Sequence, residues 1–143
     1  KYPLLRDWMK ALYCLFLDRD NVREGLKTIL QAIDYVKEGI SICIFPEGTR
    51  NTGEELSLLP FKGGALKIAE KSGCLIIPVA ISNTENVFEN HIPFIKASTV
   101  IIEFGDPIDL NAMPKEKRRH IGSQVQGIIG GMLKENSLAN VES

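Results

Sequence analysis

The sequence predicts an α/β fold with a mostly parallel sheet that is flanked by helices on both faces. Short, almost purely apolar runs alternate along the chain with stretches whose apolar residues repeat at helical spacing. Apolar runs without polar alternation are typical of strands buried on both faces. Strands that alternate with helices form βαβ units, in which the two strands are parallel. At 143 residues, the chain has the length of one domain, covering residues 1–143.

The first predicted strand is "LYCLFL", residues 12–17, which stops at the polar turn "DRDN". A helix is predicted next, because Asn21 can cap it and Glu24 follows three residues later. Its apolar face ends at Gly39 and consists of Leu26, Ile29, Leu30, Ile33 and Val36.

The second predicted strand is "ISICIF", residues 40–45, and a polar loop follows it. The stretch "FKGGALKIAEKSG" predicts a shorter helix that stops at Gly73. The third strand is "CLIIPVAI", residues 74–81. Since Pro78 has no backbone N–H to donate, this strand is predicted to lie at an edge or to bulge there.

The remaining chain begins with a long irregular loop over residues 82–97. "STVIIEF", residues 98–104, predicts another strand. The last helix is predicted over residues 115–134, with an apolar face made of Ile121, Val125, Ile128, Ile129 and Met132.

Composition limits the classes of function. Apolar residues make up 44% and charged residues 24%, as in soluble globular proteins, and the apolar runs are too short to span a bilayer. A net charge of -1 provides no overall field that would attract nucleic acid, so no nucleic-acid partner is expected. The cysteines Cys14, Cys43 and Cys74 show no metal-ligand spacing, and we expect buried reduced thiols and no metal.

Basic residues follow the predicted strands at their carboxyl ends. Arg19 follows the first strand and Lys62 precedes the helix that Gly63 and Gly64 open; the second strand is followed by Glu47, Gly48, Thr49 and Arg50. Ligands of open α/β sheets bind at this edge. The start of a helix adds unpaired N–H groups and partial positive charge. Together these residues predict a phosphate-binding site.

Each of these signals also has a plain structural interpretation. Arg19 could be a solvated turn residue beside Asp18 or Asp20, and Glu47 and Arg50 could form a surface ion pair. "FKGG" could be ordinary chemistry of a helix start. His91 and His120 lie near no predicted nucleophile, and both are interpreted as solvated.

The segment "FPEGTR", residues 45–50, closely resembles the central motif of the glycerophospholipid acyltransferases. "FLDR" is similar to the motif before it, and "PFKGGALKIAEKSGCLIIPVAI" to the segment after it, so the likeness covers about residues 2–81. The resemblance implies transfer of a fatty acyl group from acyl-CoA or acyl carrier protein to lysophosphatidic acid, with no cofactor. It also implies that Arg19 and Arg50 bind the acceptor phosphate, that Lys62 assists, and that Glu47, Gly48 and Thr49 shape the pocket.

The sequence departs from the family at the catalytic base. The family uses a histidine followed five positions later by an aspartate, and neither His91 nor His120 has that partner. No catalytic residue is therefore assigned within the chain. By resemblance, the pair is expected upstream of Lys1, which would make this chain an amino-terminally truncated, inactive part of an acyltransferase domain.

Several alternatives stay open. The same edge could instead belong to a non-catalytic module that binds an anionic lipid or a phosphate metabolite such as glycerol phosphate. The resemblance implies a location at the cytoplasmic face of the membrane for the parent protein, and a soluble cytoplasmic location for this part. "KEKRRH", residues 115–120, is either a lipid-facing patch or a solvated helix start. Self-association through an exposed sheet edge is also expected.

Overall fold

The computed structural model describes residues 3–16, 21–51, 53 and 56–141. Within these ranges the chain forms five α-helices and two β-strands. In chain order they are α1 (Pro3–Ala11), α2 (Val22–Lys37), α3 (Gly63–Ser72), β1 (Val79–Ser82), β2 (Ile101–Phe104), α4 (Lys115–Arg118) and α5 (Ile121–Val141). Two 3₁₀ turns, Thr84–Asn86 and Glu89–His91, lie between the strands.

Helix α2 begins as the capping signal predicts. The Oδ1 atom of Asn21 accepts hydrogen bonds from the backbone N–H groups of Arg23 at 3.1 Å and Glu24 at 3.3 Å. Ala32 and Ile33 on its apolar face are buried against Ile68 of α3. This cluster packs the two helices together.

Helix α3 ends at Gly73, also as predicted. Gly73 has a φ of 74°, and its N–H donates to the carbonyl of Ala69 at 2.9 Å. A left-handed residue at this position ends the helix and satisfies one of its last carbonyl groups. On its other side, α3 contributes to a second core cluster, whose buried members are Ala69, Leu110, Ile121 and Val125. Helix α3 is therefore anchored to both α2 and α5.

The sheet is a single antiparallel pair of β1 and β2, in which Val79 faces Phe104 and Ile81 faces Ile102. Pro78 lies between this ladder and an isolated bridge that pairs Ile76 with Ile108. Because proline has no N–H to donate, a break in the ladder at this position is expected. Its carbonyl still accepts a hydrogen bond from Gly105 at 2.8 Å.

The predicted mostly parallel sheet, flanked on both faces, is not confirmed in the described part of the chain. Residues 40–45 form no described strand, since an apolar run becomes a strand only where a neighbour supplies hydrogen-bond partners. Residues 12–14 instead complete the end of α1, with N–H groups that donate to Trp8, Lys10 and Met9. Leu17 lies outside the described residues. Helix α5 packs on one face of the β1–β2 pair, while Ile81 and Ile102 on the opposite face are exposed.

The predicted last helix is divided. The short α4 ends at Arg118, α5 begins at Ile121, and α5 continues to Val141. In the "KEKRRH" segment, the Nε atom of Arg118 donates to the carbonyl of Met113 at 2.9 Å, while Lys115, Lys117 and Arg119 are exposed. Both interpretations of this segment stay predictions.

The three cysteines are free, but their predicted burial is wrong for Cys43, which is exposed; Cys14 and Cys74 are half-buried. Cys43 is exposed because no described element covers its side of the 40–45 segment. Among the described helices, none combines the length and the apolar character that crossing a bilayer requires. No group of three histidine, cysteine or acidic side chains in the described ranges could hold a metal ion.

Candidate phosphate-binding site

The 45–50 loop is joined directly to the start of α3. The backbone N–H of Lys62 donates to the carbonyl of Pro46 at 2.8 Å. The Oε2 atom of Glu47 accepts from the N–H of Leu59 at 3.0 Å, in a partly buried position. The loop also closes on itself, since Gly48 N–H donates to the carbonyl of Phe45 at 3.1 Å. These bonds bring together two of the three segments that the sequence predicted to converge.

Gly48 and Lys62 lie against each other. A Cβ atom added at Gly48 would lie 2.9 Å from Cδ of Lys62, so the lysine stem occupies the space that a side chain at position 48 would take. Gly48 also has a φ of 67°, which favours glycine. The glycine therefore allows both the turn and the close approach of Lys62.

Two amide groups are open at the start of α3. Lys62 is the N-cap residue, and its side chain makes no capping hydrogen bond. The N–H of Ala65 donates to the carbonyl of Lys62 at 3.2 Å, whereas those of Gly63 and Gly64 have no protein acceptor among the described residues. Unpaired N–H groups at a helix start attract anions, because the helix carries partial positive charge there.

Arg50 pairs with Glu89 and not with Glu47, the partner that the plain structural interpretation assumed. Its Nη1 atom lies 3.6 Å from Oε1 of Glu89, and its side chain is 81% exposed. The carboxylate of Glu47 is bonded to backbone instead, so the alternative of a Glu47–Arg50 pair is not what the structure shows. Thr49 is exposed, and Arg19 lies outside the described residues.

Two residues at this site were not found from the sequence. Gln126 of α5 donates from Nε2 to the carbonyls of Leu58 at 3.3 Å and Leu59 at 3.1 Å, which fixes the segment that Glu47 also holds. In the sequence, Gln126 was distinguished only by its position, as a polar amide next to the apolar Val125. Glu89 gave no signal, because an acidic residue in an irregular loop is common.

The histidines differ in their surroundings. His120 is exposed, in agreement with its interpretation as a solvated residue. His91 is half-buried, so that interpretation is wrong in part, and its Nδ1 atom is buried with no hydrogen-bond partner in the described structure. Neither side chain is hydrogen-bonded to a carboxylate within the described ranges, so no base paired with an orienting acid is found there.

Comparison with known proteins identifies the family of the chain. Residues 1–82 match the family model described as Acyltransferase. The chain is 31% identical over 137 residues to the 1-acyl-sn-glycerol-3-phosphate acyltransferase of Saccharomyces cerevisiae, covering 94% of this chain and 45% of that protein. It is 35% identical over 122 residues to the enzyme of the same name from Escherichia coli K12, covering 85% of this chain and 48% of that protein.

The fold is also found in a solved structure. The crystal structure of the 1-acyl-sn-glycerophosphate acyltransferase from Thermotoga maritima superposes with a TM-score of 0.77 at 24% identity, and covers 96% of this chain and 53% of that one. The chain thus spans about half the length of the relatives it matches. The family match includes the whole 45–50 loop and the start of α3. The chain belongs to the acyltransferase family.

Proposed function

We propose that the protein takes part in transferring a fatty acyl group from acyl-CoA or acyl carrier protein to the free hydroxyl of lysophosphatidic acid, which forms phosphatidic acid. The names of the relatives support this acceptor, since they are 1-acyl-sn-glycerol-3-phosphate acyltransferases. Within that reaction, this chain binds the phosphate of the acceptor.

The observation that carries the proposal is the joined loop and helix start. Hydrogen bonds of 2.8 Å from Lys62 to Pro46 and 3.0 Å from Leu59 to Glu47 hold the ammonium-bearing residue and two open amides beside the 45–50 loop. A phosphate dianion needs several donors directed at one point. Lys62, Gly63 and Gly64 supply them on one side, while Arg50 supplies a fork that bonds two oxygens at once.

The ion pair of Arg50 and Glu89 does not prevent phosphate binding. At 3.6 Å and with both side chains well exposed, such a pair contributes at most about 1 kcal/mol. A phosphate that forms two charge-assisted hydrogen bonds with the guanidinium competes favourably with it. Arg50 is therefore available to the acceptor when a phosphate arrives.

The other predicted site residues have supporting roles in this proposal. Glu47 keeps the loop in place through its bond with Leu59 rather than by touching substrate. Gly48 leaves room for Lys62. As the resemblance implies, Thr49 would shape the acceptor pocket and Arg19 would bind the phosphate together with Arg50. Chemically, the acceptor hydroxyl must lose its proton while it attacks the thioester carbonyl, and the thiol leaves with a proton.

The proposal is tested by titrating the 143-residue chain with glycerol 3-phosphate in a calorimeter. Lys62→Met keeps the stem that packs on Gly48 but removes the charge, and we expect the affinity to fall roughly tenfold. Lys71→Met, at the exposed far end of α3, is the matched control and should leave the affinity unchanged. Equal effects of both changes, or no binding by the unchanged chain, would contradict the proposal.

A further inference from the structure

The 87–96 loop is closed at its base by hydrogen bonds. The N–H of Lys96 donates to the carbonyl of Val87 at 2.9 Å. Next to this bond, Oγ of Ser98 donates to the carbonyl of Asn86 at 2.9 Å. A loop whose ends meet in this way is a compact surface unit, so its shape is defined by its own bonds.

The tip of this loop is the apolar segment "IPFI", residues 92–95, without a single charged side chain. Ile92 is 66% exposed, Phe94 71% and Ile95 78%. A contiguous apolar group that remains exposed on a closed loop marks an interaction surface rather than a packing defect. Lys96 follows the tip directly and places a positive charge at its base.

The loop is also connected to the candidate phosphate site. Glu89, three residues before the tip, is the residue that pairs with Arg50 at 3.6 Å. The negative charge of Glu89 is thereby balanced by Arg50. The apolar tip and the phosphate-binding arginine consequently belong to neighbouring parts of one surface.

We propose that residues 92–95 enter the interfacial layer of an anionic lipid bilayer, with Lys96 at the level of the headgroups. Apolar side chains next to a cationic residue are the combination that binds such surfaces. A second copy of the chain fits less well: three such side chains remove roughly 500 Å² from water, whereas a stable dimer buries about 800 Å² on each partner.

This inference extends the proposed function without depending on turnover. If the acceptor is a lipid, its phosphate lies at the headgroup level while its acyl chain stays in the bilayer. A loop that enters the bilayer beside Arg50 would hold the guanidinium at that level. Within the described residues, the loop contacts the candidate phosphate site through the ion pair of Glu89 with Arg50.

The test is co-sedimentation of the full 143-residue chain with phosphatidylcholine vesicles that do or do not contain phosphatidylglycerol. Phe94→Ser should lower the vesicle partition coefficient about tenfold, because the phenyl ring no longer enters the interface. Phe104→Ser is the matched control: Phe104 is 70% exposed, almost as Phe94 is, but lies on β2. It should leave the partition coefficient unchanged.

A second variant reports on insertion directly. In a Trp8→Phe background, the emission of the Phe94→Trp variant should shift to the blue on addition of the mixed vesicles. An unshifted spectrum, equal losses from Phe94→Ser and Phe104→Ser, or the absence of vesicle binding would overturn the proposal. So would a dimer, seen by sedimentation velocity without lipid, that Phe94→Ser dissociates. Glycerol 3-phosphate affinity, measured separately, shows whether the phosphate site has failed as well.

Discussion

At the scale of single residues, two glycines with similar backbone conformations have different surroundings. Gly48 has a φ of 67° and faces Lys62, whereas Gly39 has a φ of 88° and no atom within 4 Å of an added Cβ. Both require a left-handed backbone that other residues adopt at a cost. Only Gly48 also leaves room for a side chain of the candidate site.

This difference predicts separate effects of alanine at the two positions. Gly48→Ala and Gly39→Ala should each lower the free energy of unfolding by about 1 to 2 kcal/mol, because alanine is strained at positive φ. Gly48→Ala should in addition weaken glycerol 3-phosphate binding, since Lys62 must move away from the new methyl group. Urea denaturation and calorimetry measure the two quantities. Equal phosphate affinities in the two variants would show that the contact with Lys62 has no part in binding.

At the scale of elements, the start of α2 depends on one side chain. The Oδ1 atom of Asn21 serves two N–H groups, those of Arg23 and Glu24, which would otherwise lack acceptors within the helix. Asn21→Ala should therefore lower the free energy of unfolding by about 1 kcal/mol. Asn21→Asp keeps a capping oxygen and should cost little. If both changes destabilise the chain equally, in the same urea titration, capping is not the role of Asn21.

Helix ends could be predicted from the sequence because their signals are local. The cap at Asn21 and the left-handed stop at Gly73 each involve a few neighbouring residues, and both were found where expected. Strand pairing depends on partners far away in the chain. The apolar run of residues 40–45 carries no information on whether another strand pairs with it, and none does among the described residues. Helix α1 was missed for a different reason, since its short pattern directly precedes the stronger apolar run of residues 12–17.

Part of the geometry of the candidate site could be predicted from the sequence, although its role in phosphate binding stays a prediction. The proximity of Gly48 to Lys62 agrees with the prediction, but it results from hydrogen bonds between loop and helix start rather than from an edge of parallel strands. Gln126 and Glu89 reach the site from distant positions in the sequence. Contacts of this kind leave no local pattern, so the sequence alone could not identify them.

At the scale of the whole molecule, phosphate binding and catalysis make separate demands on the structure of this chain. The candidate phosphate site is assembled from the 45–50 loop and α3, which α2 and α5 hold in place. A catalytic base is a different requirement, and in the described ranges neither His91 nor His120 has a carboxylate partner to orient it. Loss of a general base typically costs about 10²- to 10⁴-fold in rate.

We therefore expect the 143-residue chain to bind glycerol 3-phosphate without transferring acyl groups. The measurement is release of free thiol from an acyl-CoA, with and without added lysophosphatidic acid, and the rate should be the same in both. Release that rises with lysophosphatidic acid would mean that a base is present. The variants His91→Asn and His120→Asn would then identify that base. The half-buried His91 lies two residues after Glu89, the partner of Arg50. Loss of turnover in His91→Asn alone would therefore place the base in the 87–96 loop.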